Sequence, residues 1–305
     1  MDKFYPVGAA AAKLDEITTK VKEALKARGA LNIQHLANAE LGDVVVRESA
    51  SATKSWVMCT PEIEDGTVDE VVFRLQGVLM RNDLVPKGIQ HCPDRKFKNI
   101  TQYVQICGVQ SDTFEESMAK VSLIHKKFAQ HLSIAQFTPH VEAQGAVGTL
   151  FAASNRLFTS KRDAPTEQDN EFEYGLDPVG IIGRRKTEDL IHAPANIVKY
   201  FRLQTSGDEK KYKYIETVPG IFSTGDIVEL QISFVAIMSA YKKIKVTNRL
   251  QAITLLSDEF TKEAADIRAS AISKPQSVAF RRKVGYFYED EEEARAFKRL
   301  ATEDE

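Results

Sequence analysis

The chain has 305 residues, 43% hydrophobic and 28% charged, which suits a globular protein of one large domain or two ordinary ones. Its formal net charge of -2 excludes a polycation, so any grip on nucleic acid or acidic lipid must come from a local patch. The three cysteines, Cys59, Cys92 and Cys107, are odd in number and form no CxxC pair, which excludes a secreted disulfide scaffold and fits a cytoplasmic or nuclear setting.

The opening "MDKFYPVGAAAAKLDE" lacks a basic segment followed by a long apolar core, so no signal peptide is expected, and no stretch is long and apolar enough to span a bilayer. Residues 9 to 28 read as an amphipathic helix. Leu14, Ile17, Val21 and Leu25 recur at helical spacing, and Gly29 is a natural stop. Strand-like pieces follow from Gly42, Lys54, Val68 and Asn99, rich in Val, Ile and aromatics and separated by turn signals. Asp112 with Glu115 marks a capping-box-like start for a second helix. Phe114, Met118, Val121, Phe128 and Leu132 form its apolar face, and it should end before Pro139.

From about 139 to 195 the pattern reads as irregular, with a domain boundary near residue 150. The segment from 196 to 256 alternates again. "NIVKYFRLQ" and "KKYKYIETV" flank a hairpin signal at Ser206-Gly207-Asp208. In "GDIVELQISFVAIM", Val228, Leu230, Ile232 and Phe234 should point inward, while Glu229, Gln231 and Ser233 line a wet outer face. A short helix over "DEFTKEAADIRAS" precedes a tail that passes from Arg281–Lys283 into the acidic run Glu289 to Glu293. The expected layout is a β-rich α+β region over 1–150, an irregular linker over 151–195, an OB-like β-barrel or sandwich part over 196–272, and a charged tail over 273–305. The fold class is α+β, mainly β.

No motif carries catalysis. Neither GxSxG, HExxH nor a Walker A sequence is present, so a non-catalytic protein is expected. His91, Cys92, Cys107 and His125 supply ligand types without the paired spacing of zinc sites, so no metal and no cofactor are expected. "GIIGRRK" reads as a basic turn, and His192 in "DLIHAP" as a packing or hydrogen-bonding residue.

What remains is binding. "VKYFR" and "KKYKY" interleave cations with aromatics, as single strands require, because cations neutralise phosphates and rings stack on bases. From Ile181 to Leu256 there are 12 Lys/Arg against 7 Asp/Glu, a local excess in a net acidic chain. The candidate nucleic-acid-binding residues are Lys199, Tyr200, Arg202, Lys211, Tyr212, Lys213, Tyr214, Lys243, Lys245 and Arg249. The same alternation also suits a plain solvated sheet face. The rival reading is therefore a protein-interaction or self-assembling structural protein, with self or another protein as partner and no membrane.

At "LDPVGIIG", "DLIHAPANIVKYF", "FSTGDIVELQISF", "LQAITLL" and "FRRKVGY" the sequence resembles an expanded family of uncharacterised proteins of mushroom-forming fungi. The resemblance covers about residues 176 to 290. It implies a fungal source and a shared fold unit, and it transfers no functional residues. Separately, "GDIVELQISF" with its hairpin partner is similar to the later strands of an OB-type barrel, an architecture that often binds single strands or oligosaccharides on an open sheet face.

Overall fold

The structure is a computed structural model. It describes residues 3–49, 54–61, 68–87, 89–132, 137–138, 140–206, 211–239 and 242–271, with positions 295 and 298. Chain contacts set residues 1–267 together as one compact unit, with 268–305 as a second. The expected charged tail over 273–305 lies outside the described residues, except for Arg295 and Lys298.

The architecture is mixed α and β, mostly sheet. The strands are β1 (Ile33–His35), β2 (Val45–Glu48), β3 (Ser55–Cys59), β4 (Val72–Asp83), β5 (Thr101–Cys107), β6 (Ala143–Gly145) and β7 (Gly148–Arg156). They continue with β8 (Thr159–Ser160), β9 (Leu190–Ile191), β10 (Lys199–Ser206), β11 (Lys211–Glu216), β12 (Ile227–Met238) and β13 (Ile244–Ser257). The helices are α1 (Val7–Arg28), α2 (Asp94–Phe97), α3 (Asp112–Leu132), α4 (Ile181–Arg185) and α5 (Glu259–Ala271).

Five long strands make the scaffold. β4 pairs antiparallel with β5, β5 with β7, and β12 with both β4 and β13, while β7 meets β13 in parallel. Around this ring the strands run first, second, third, fifth and fourth in chain order, the order of an OB-type barrel. The ring is only partly closed. The β7–β13 seam holds one register pair, Arg249 with Ser154, before the same edge of β13 turns to pair with β10. Two asparagines reinforce this seam. Asn248 Nδ2 donates to the Ala152 carbonyl at 2.9 Å, and Asn155 Nδ2 to the Leu250 carbonyl at 3.0 Å.

Phe73, Leu75, Ile106, Phe151, Leu230, Ile232, Phe234 and Leu250 fill the interior, with Phe73 and Phe234 edge to face at 5.5 Å. Gly77 faces inward beside Ile106, where an added Cβ would lie 3.0–3.1 Å from Ile106 and from the Cys107 carbonyl. A second apolar cluster seals one end of the outer surface. Tyr5, Ala10 and Leu14 around the start of α1, with Phe260 and Ala264 of α5, cover Val78, Cys107 and Ile227.

The helix from residue 9 is α1, and Gly29 ends it in the left-handed region at φ 61. α3 starts after Ser111, one residue earlier than the expected cap. Ser111's carbonyl accepts from the Phe114 and Glu115 amides, so Asp112 is already helical. Residue 150 lies inside β7, and strands on both sides of it belong to one sheet. The irregular reading of 139–195 therefore missed a barrel strand. The inward positions of β7 are Thr149, Phe151, Ala153 and Asn155, only one of them large and apolar, which conceals its alternation.

Candidate nucleic-acid interface

The outer face of β12 is largely dry. Glu229 is fully buried, Ser233 is 1% exposed, and Gln231 is half-buried. Arg74 Nε donates to Glu229 Oε1 and Nη2 to Oε2, both at 2.8 Å, while Gln76 Nε2 donates to Oε2 at 2.6 Å. Burial works against the Arg74 charge, and the adjacent Glu229 carboxylate outweighs it, leaving the guanidinium pKa raised. Arg74 also donates to the Tyr214 hydroxyl at 2.9 Å and stands over that ring. Going round through the β12–β13 pairing, three strands, β10, β13 and β12, separate β11 from β4, so this contact requires the β10–β11 hairpin to curl back over the sheet.

That curl decides the fate of the ten expected residues. They do not share one face. Directly opposed residues of an antiparallel pair project to the same side. Arg202 stands opposite Ile215 and Gln204 opposite Lys213 on one side of the hairpin, while Leu203 stands opposite Tyr214 on the other, the side of Lys199. Lys211 and Tyr212 hold register positions opposite Ser206 and Thr205, and their side chains lie outside the described residues. Tyr200 is 2% exposed and its hydroxyl donates to Gln102, so its ring belongs to the core and cannot stack on a base. Lys245 and Arg249 fall on the outer side of β13, and Lys243 precedes that strand in the exposed turn after β12.

Three of the cations already face acids. Lys199 lies 3.7 Å from Glu173 and 3.6 Å from Glu216, Arg202 3.3 Å from Asp258, and Arg249 3.6 Å from Glu70. Among the described residues, Lys213, Lys243 and Lys245 carry no such pair. The expected set is thus dispersed.

The open part of the barrel wall lies elsewhere, on β4, β5 and β7. Register places Arg81 opposite Gln105, Asp83 opposite Tyr103, Tyr103 opposite Ser154, and Thr101 opposite Arg156. These residues are half-buried or exposed, whereas their neighbours Gln102, Val104, Ile106, Phe151 and Ala153 point inward. The Arg81 guanidinium stands 5.3 Å from the Tyr103 ring centre and bridges Asp83 at 2.5 Å. An exposed pair of this kind is weak and exchangeable.

The connection leading into β5 adds exposed Arg95, Lys96 and Lys98. It is held by Phe97, 4% exposed, which packs 5.5 Å from Phe158 beneath the Arg185 guanidinium. The sequence read β5 as a strand. The available signal was the outward set of "NITQYVQ", Thr101, Tyr103 and Gln105, which a search for dense Lys–Tyr alternation passes over.

A surface cleft of about 870 Å³ is lined by Phe172, Tyr174, Val218 and the acids Glu171, Glu173 and Asp177. Its charge repels phosphate. His192 behind it is fully buried, with Nδ1 2.8 Å from the Leu157 carbonyl and Nε2 3.3 Å from Glu173. That agrees with a hydrogen-bonding role for His192. Among the described residues, no group of three or more His, Cys, Asp or Glu side chains is arranged to hold a metal ion, and no helix is long and apolar enough to cross a membrane.

No protein-family model matches the chain, and no curated protein matches it. Among solved structures it is similar to gp2.5, a single-stranded DNA-binding protein encoded by bacteriophage T7. The TM-score is 0.36 at 11% identity, over 70% of this chain and 98% of that one.

Proposed function

We propose that the chain is a non-catalytic protein that binds single-stranded nucleic acid on the outer wall of β4, β5 and β7. The observation that carries this reading is the juxtaposition of Tyr103 with Arg81 and Arg156 on an open barrel wall. A ring offers a stacking platform to any base, and arginines take phosphate oxygens in a planar fork. Thr101, Gln105 and Ser154 add hydrogen-bonding groups without charge. Lys213, Lys243 and Lys245 of the originally expected set remain available as outlying phosphate contacts.

Fluorescence anisotropy with single- and double-stranded DNA and RNA across a salt series tests this reading. Single strands should bind more tightly than duplexes, and log affinity should fall linearly with log salt. Two arginines on phosphate contribute a slope of about -1.4, at about -0.7 per contact. Flat curves at low salt would remove the proposal.

A second reading has its own observation. Tyr174 is 88% exposed at the mouth of the acidic cleft, which suits contact with a cationic protein surface. A pull-down that recovers basic proteins from wild type and loses them with Tyr174→Ser would favour it.

A further inference from the structure

The Tyr103 ring is covered by a group of its own chain. The Arg81 guanidinium stands over it, with Cζ 5.3 Å from the ring centre, and Arg81 Nη2 lies 2.5 Å from Asp83 Oδ2. Register sets Asp83 directly opposite Tyr103 on one flank and Ser154 opposite it on the other. Directly opposed residues project to one side with Cβ atoms about 4.5–5.5 Å apart, so the carboxylate is within reach of whatever lies on the ring. The Arg81 and Asp83 side chains are 63% and 50% exposed, and Tyr103 is half-buried beneath them.

A guanidinium is a flat group whose N–H donors form a fork, and it stacks on aromatic faces. Guanine carries the same fragment on its Watson–Crick edge, where N1–H and the 2-amino group point the same way. A carboxylate only accepts, and it can take both donors at once. Among the common bases only guanine offers that pair. Cytosine and adenine set one amino group beside an accepting ring nitrogen. Thymine and uracil set one N–H between two carbonyls, which repel a carboxylate.

An exposed ion pair exchanges readily, so Arg81 can leave Asp83 for a phosphate oxygen. A base then takes its place on the ring and its place at the carboxylate, as single-stranded bases do when they are stacked on aromatics and read along their edges.

We propose that this wall prefers single strands bearing guanine: the base stacks on Tyr103, Asp83 accepts from its N1–H and 2-amino groups, and the displaced Arg81 takes an adjoining phosphate. The inference rests on the barrel-wall reading above and adds a base preference to it. It also gives a role to Asp83, an acid on a face that otherwise suits phosphate.

The test is fluorescence anisotropy of the full chain with three labelled strands of equal length. One alternates guanine with thymine, one alternates hypoxanthine with thymine, and one is thymine alone. Lithium buffer keeps the guanines from forming quadruplexes. The guanine strand should bind about tenfold or more tightly than the thymine strand, as a bidentate base contact allows. The hypoxanthine strand, which keeps N1–H and lacks the 2-amino group, should fall between them. Asp83→Asn should bring the guanine and thymine strands within about threefold of each other. The same variant should bind the thymine strand at least as tightly as wild type, because Arg81 is released. Asp83 is exposed, so the variant should melt at the wild-type temperature.

Equal binding of all three strands by wild type would overturn the base preference and leave the binding wall standing. So would a guanine preference that survives Asp83→Asn, which would come from stacking alone. Absence of binding to every strand would remove both.

Discussion

Glu229 shows how a single residue can mislead a pattern. It alternates with Val228 and Leu230, as a solvent-facing carboxylate on a strand should. Yet Arg74 and Gln76 come from β4, far away in the sequence, to hold it in full burial. No local signal announces a partner 155 residues away. Truncating one member of a buried pair strands the other charge, so Glu229→Ala should destabilise the protein by about 3–5 kcal/mol in urea unfolding. Replacing both partners with apolar residues, as in Arg74→Met with Glu229→Leu, should recover most of that loss. Equal losses for the single and double variants would show that the pair is not the cause. Tyr200 teaches the same lesson from the other side, since Lys199-Tyr200 reads as a surface dipeptide and one half of it is core.

At the level of elements, the strands with β-branched inward faces were legible. β2, β3, β4, β5, β12 and β13 fall where alternation and turn signals put them, and α1, α3 and α5 follow helical periodicity. β7 was not legible, because its inward residues other than Phe151 are small or polar, and Asn155 serves the seam rather than a plain apolar core. The curl of the β10–β11 hairpin was hidden too, because it depends on the Tyr214–Arg74 contact rather than on anything within "KKYKY".

Two buried histidines make the elements pH-sensitive. Burial, opposed by the bond to Gln76, takes the His35 pKa down to about 4, and burial does the same at His125. An unfolded histidine takes up its proton near pH 6.5, so the unfolded state binds more protons between about pH 6.5 and 4. Stability is therefore fully present above about pH 6.5 and lost as pH falls through this window, by up to about 3 kcal/mol per histidine. Urea midpoints measured in metal-free buffer should fall across that range. They should fall less steeply for His35→Gln, and an unchanged slope in that variant would contradict the assignment.

Residues 1–267 form a partly open five-stranded ring extended by a hairpin on one side and by β3 and β2 on the other. The sequence reading reached the OB-type topology through its later strands alone, and placed the barrel within 196–272. The first three barrel strands, however, come from residues 72 to 156, because pairing between distant segments leaves no trace in local periodicity. That displacement also moved the candidate surface. A chain of net charge -2 needs its cations gathered on one face. The outward positions of β4, β5 and β7 set Arg81 and Arg156, with the acid Asp83, on the face of Tyr103, whereas the hairpin divides its cations between two faces.

The most direct measurement compares two variants in one anisotropy titration against a single-stranded oligonucleotide. Tyr103→Ala combined with Arg156→Ala should weaken binding by at least tenfold, since one stacked base is worth about 1–3 kcal/mol, and should reduce the salt slope by about 0.7. Arg202→Ala combined with Lys213→Ala should stay within about threefold of wild type. The reverse order, with the hairpin variant crippled and the barrel-wall variant intact, would contradict the account.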